Sequence, residues 1–148
     1  MRSTLLLFAV VTLLGCGQAE PPKSAPAHDP DDIPITEADV KMPASYAEAL
    51  PQIKSYRDTI RSAVEAGTPS KAHRSLDELD IVLDKLPSIA KESGIPKEQW
   101  ETVNTTAQEL RNLFNQVHSA IDEKREPDYK AVAEPIDQAI AKLEMVTQ

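Results

Sequence analysis

The sequence predicts an all-α protein, an antiparallel up-down four-helix bundle with kinked helices, set behind an N-terminal leader and a disordered linker. Three observations carry that reading. Gly67 and Gly94 each stand where an apolar helical pattern ends, and each is followed two residues later by a proline, Pro69 and Pro96. Glycine just past a helix and proline at the start of the next one mark helix boundaries. The segments so delimited carry apolar residues at three- and four-residue spacing, the period of a helix with one buried face. No run of alternating β-branched residues competes with that pattern, so strand content should be near zero.

Residues 1–15 hold one positive charge at Arg2 and an apolar run from Leu5 to Leu14, the pattern of a signal peptide. A run of that length falls short of the roughly 20 residues a helix needs to cross a bilayer core. Leu13-Leu14-Gly15-Cys16 resembles the lipobox of bacterial lipoproteins, whose cysteine is diacylated on sulfur and becomes the new N-terminus. The resemblance implies that Cys16 carries a lipid anchor and that the chain resides in the bacterial cell envelope, outside the cytoplasm. Gly17 in place of an aspartate after the cysteine favours the outer membrane where one exists. Two or three acyl chains, at about 0.8 kcal/mol per buried methylene, hold a protein stably.

Residues 16–42 then read as the lipidated cysteine followed by a disordered tether. From Gly17 to Met42 the chain contains five of the twelve prolines, acids such as Asp29, Asp31 and Asp32, and few large apolar residues. Flexible-chain scaling gives such a stretch a root-mean-square span on the order of 30 Å. His28 belongs to this tether and reads as a solvated residue.

Residues 43–148 form one domain, large enough for a single core. Pro43 and Pro127 open segments as Pro69 and Pro96 do, giving helices over 43–66, 69–93, 96–124 and 127–147. Tyr46, Leu50, Ile53, Ile60 and Val64 stripe the first, and Leu76, Leu79, Val82, Leu83, Leu86 and Ile89 the second. Trp100, Val103, Ala107, Leu110, Phe114, Val117 and Ile121 stripe the third, and Tyr129, Val132, Ile136, Ile140, Leu143 and Val146 the fourth. One stripe per helix with short connections is the pattern of an antiparallel bundle. Pro51, Pro87 and Pro135 fall inside the stripes, where each removes an amide donor at a cost of about 3 kcal/mol and should bend its helix.

The chemistry on offer is sparse. With Cys16 lipidated no thiol is left for disulfides, redox work or catalysis, and there is neither a nucleophile elbow nor a phosphate-binding glycine loop. The sequence therefore predicts no enzyme. Its formal charge of -8, one unit more negative once Arg2 is removed, argues against nucleic acid as a partner.

One constellation stands out. His73 and His118 lie 22 and 23 residues either side of a turn near Ile95, so at equal rise per residue they reach the same height on adjacent helices. At 100° per residue they sit about 100° and about 60° from their stripe centres, on the same flank. Asp77 and Asp122 each follow a histidine by four residues, one helical turn along. His73, His118, Asp77 and Asp122 are thus candidate ligands for a transition metal such as zinc or copper. The competing reading makes them boundary residues that hydrogen-bond nearby acids.

In architecture alone, residues 43–148 resemble the cytochrome c-prime class of exported, left-handed up-down bundles. The resemblance does not extend to haem. The Cys-X-X-Cys-His attachment sequence is absent, which excludes covalent haem, and no cofactor is predicted beyond the zinc or copper ion. The functional expectation is a membrane-anchored envelope lipoprotein that works by binding another envelope protein. The alternative is a metal or small-ligand carrier using His73 and His118.

Overall fold

A computed structural model describes residues 35–146, and within them the chain forms four helices: α1 (Tyr46–Glu65), α2 (His73–Glu92), α3 (Trp100–Asp122) and α4 (Tyr129–Glu144). No strand occurs among the described residues. Consecutive helices pack side by side and α4 returns against α1, closing a four-helix bundle. Its antiparallel sense is visible at one residue. Tyr46, at the start of α1, donates its backbone N–H to Ser93 Oγ at 2.7 Å, and its hydroxyl donates to the Leu143 carbonyl at 2.9 Å. The beginning of α1 therefore meets the ends of α2 and α4.

The predicted stripes make the core. Ile53, Ile60, Leu79, Leu83, Leu86, Leu110, Ile136 and Leu143 are fully buried, and Leu50, Val64 and Trp100 pack around them partly covered. Trp100 is fixed by its Nε1–H, which donates to the Ile95 carbonyl at 2.8 Å, and by Lys91 Nζ, 5.0 Å above its ring. Exposed ion pairs link the same neighbours: Lys54 to Glu144 and Arg57 to Asp137 between α1 and α4, and Lys142 to Glu109 between α4 and α3.

The helix starts lie a few residues inside the predicted ones. Pro69 opens a 3-10 turn (Pro69–Ala72) that leads into α2, and Pro96 precedes another (Lys97–Gln99) that leads into α3. Ser45 caps α1 by accepting from the Glu48 N–H, and Asp128 caps α4 by accepting from the Ala131 N–H. The helix ends follow one scheme. Beyond α1, Gly67 at φ +69° lets the Thr68 N–H reach back to the Ala63 carbonyl, and beyond α2, Gly94 at φ +81° does the same for Ile95 and Ala90. Beyond α3 the left-handed position falls on Lys124, at φ 55°, with Arg125 N–H bonded to the Ala120 carbonyl. Pro51, Pro87 and Pro135 all lie within helices that run on through them.

Residues 35–42, read from the sequence as the end of the tether, are folded against the bundle. Thr36 and Asp39 close a 3-10 turn (Glu37–Asp39), Val40 and Pro43 are buried, and Ile35 and Met42 pack against the core. Glu37 pairs with Lys85 on α2 at 2.8 Å, and Gln52 on α1 donates to the Lys41 carbonyl at 2.8 Å. Residues 35–42 are thus a strap across α2 and α1, held by apolar side chains that acid and proline content obscured. The signal peptide, Cys16 and His28 lie outside the described residues. Among those described, no helix is long and apolar enough to cross a membrane.

Candidate metal centre

His73 is the first residue of α2, placed by the 3-10 turn before it, while His118 and Asp122 occupy the last turns of α3. Because the two helices are antiparallel neighbours, the start of one faces the end of the other. The imidazole rings come together with centroids 5.2 Å apart, inclined by 59°. The equal-height reckoning from the sequence therefore holds at the level of side chains.

Asp122 is the hinge of the cluster. Its Oδ1 stands 3.0 Å from His73 Nε2 and 3.7 Å from His118 Nε2. One ligand atom from each of His73, His118 and Asp122 lies within 4.8 Å of the others. Donors about 2.0–2.2 Å from a tetrahedral zinc ion stand about 3.4 Å apart. The two separations from Asp122 Oδ1 bracket that value. Two imidazoles with a carboxylate are the donor set that zinc and copper take.

Burial differs usefully across the cluster. The side chains of His73 and His118 retain 16% and 26% of their exposure, whereas Asp122 retains 57%. The imidazoles are held by the helix packing beneath them, and the carboxylate remains accessible from water.

Asp77, the fourth candidate, is placed differently. It lies one turn beyond His73, with Oδ1 3.8 Å from His118 Nε2, outside the compact three-residue group. Burial pushes its carboxyl above the usual range, with His118 and His73 drawing it back and Asp122 and Asp80 adding to the rise. Asp77 also lines a cleft of about 330 Å³, together with Ile35, Asp80, Ile81, Asn115 and His118. Asp80 is itself engaged on the far side, where Arg111 donates to both its oxygens at 2.7 and 2.9 Å.

Sequence reasoning missed Ile35, Asp80 and Asn115 as neighbours of the site. Asp80 follows Asp77 by three residues and Asn115 precedes His118 by three, so the helical spacing used for the histidines could have found both. Ile35 could not be found that way, because nothing local says that the strap folds back onto α2.

No known protein family, curated protein or solved structure matches the chain.

Proposed function

We propose that this chain is a transition-metal-binding helical bundle of the bacterial cell envelope, anchored through a lipid on Cys16 and holding zinc or copper between α2 and α3. The observation that carries the metal reading is the convergence of His73, His118 and Asp122 within 4.8 Å. The anchor rests on Leu13-Leu14-Gly15-Cys16. Sequence alone puts protein binding first. The side-chain geometry favours the carrier, because two imidazoles from different helices share one carboxylate.

A structural role for the same three residues predicts an ion pair and no more. Elemental analysis of the purified full chain, after exposure to Zn²⁺ or Cu²⁺ and dialysis, separates the two. One ion per chain is the expected result, lost in a His73→Ala/His118→Ala double variant that keeps its helical circular dichroism. Equal metal content in the two proteins would refute the site, and no metal in either would return the bundle to a protein-binding role.

A further inference from the structure

We propose that Asp77 is the fourth ligand of this centre, moving from the edge of the adjoining cleft onto the ion so that the metal sits in a closed two-histidine, two-aspartate shell. The inference rests on the metal reading above and specifies the coordination it takes.

Three features lead to it. The first is register: Asp77 is four residues after His73 on α2, as Asp122 is four residues after His118 on α3. The two helices therefore present the same imidazole-carboxylate pair in opposite directions. An ion shared by the imidazoles meets one carboxylate from each helix.

The second is distance and room. Asp77 Oδ1 is already 3.8 Å from His118 Nε2, close to the separation of two donors on one tetrahedral ion. Asp77 and His118 both line the cleft of about 330 Å³, so the carboxylate and the imidazole border the same open space. Asp80, the next acid along α2, is already engaged, because Arg111 grips both of its oxygens.

The third is charge. Asp77 and Asp122 each place a carboxylate oxygen within 4 Å of His118 Nε2, and the Asp77 side chain is about two-thirds covered. Two carboxylates balance a divalent cation held by two neutral imidazoles. A three-ligand site would leave the Asp77 charge beside the ion with no direct bond to it. A closed shell also assigns the site to holding metal, since catalytic zinc keeps a position open for water.

Cobalt(II) reads this coordination directly. Tetrahedral Co²⁺ absorbs strongly in the visible, whereas five- and six-coordinate Co²⁺, with water filling its shell, absorbs weakly. The full wild-type chain titrated with Co²⁺ is expected to give the intense tetrahedral bands. Asp77→Asn, with water in the vacated position, should shift and weaken those bands and bind at least about 10-fold more weakly. Asp77→His, which returns a donor at the same place, should restore the bands.

A wild-type spectrum that Asp77→Asn leaves unchanged would overturn this proposal while leaving the three-residue centre standing. Weak bands in the wild type at saturation would also overturn it. No Co²⁺ binding by the wild type would instead remove the metal reading on which it depends.

Discussion

Two tyrosines show how a single buried group carries both packing and pH response. Tyr46 and Tyr129 are 2% and 4% exposed, and burial pushes each phenol from 10.0 up to about 12. Below pH 10 the phenol is neutral in the folded and the unfolded chain, so the full stability is present. Above pH 10 the unfolded chain ionises first, and stability falls until the folded phenols titrate near pH 12. Each contributes a loss of about 2–3 kcal/mol over that interval, at about 1.4 kcal/mol per pKa unit. Urea unfolding from pH 9 to 12 should show the fall, and Tyr129→Phe should flatten part of it. Tyr46→Phe should do the same and also cost about 1 kcal/mol at neutral pH, because its hydroxyl donates to the Leu143 carbonyl.

The histidines teach the complementary lesson about what a residue discloses in sequence. Their height could be counted from Ile95 because rise per residue is constant along a helix. Their shared carboxylate could not be singled out. Asp77 and Asp122 have the same spacing from their histidines, and only the folded structure shows Asp122 to be the nearer one to both rings.

Helix ends are where the chain states its folding rules most plainly, and also where it breaks one. Gly67 and Gly94 terminate α1 and α2 at positive φ, a conformation an L side chain adopts at a cost. Lys124 makes the same turn after α3 without that freedom. Lys124→Gly is therefore expected to stabilise the protein by about 1 kcal/mol, and Gly94→Ala to destabilise it by about the same amount, although an added Cβ at residue 94 meets open space. Chemical denaturation of the two variants checks both signs. The first two ends were legible because glycine announces them. The third was located only through Pro127, since a lysine in the left-handed region leaves no trace in composition.

The strap extends the same point. A proline- and acid-rich stretch reads as tether, and the few apolar residues at its end, Ile35, Val40 and Met42, are too sparse to form a periodic pattern. Only the finished surface of α1 and α2 gives them somewhere to bind. Val40→Ala should cost roughly 1–2 kcal/mol in urea unfolding, from the two methyl groups withdrawn from the core. A tether residue would cost nothing.

At the scale of the molecule, the strap and the candidate metal centre meet on one face. Ile35 shares the cleft with Asp77 and His118, so the strap borders the candidate metal centre. Cys16→Ala is expected to move the protein from the membrane fraction to the soluble fraction on cell fractionation, with the bundle's stability unchanged. The four-helix architecture itself was legible throughout, because one stripe per segment and short glycine-proline joints leave few other ways to bury the apolar faces. Function was far less so, since it depends on which side chains of an ordinary acidic surface turn toward one another.

Nitrogen-15 NMR of the imidazoles reads whether His73 and His118 bind one metal ion together. The chain has three histidines, so His28 serves as an internal control. Titrating Zn²⁺ into the full chain at neutral pH should move the ring nitrogens of His73 and His118 in concert, saturating at one equivalent, with His28 unmoved. Resonances of His73 and His118 that stay in place, or a response confined to His28, would contradict the account.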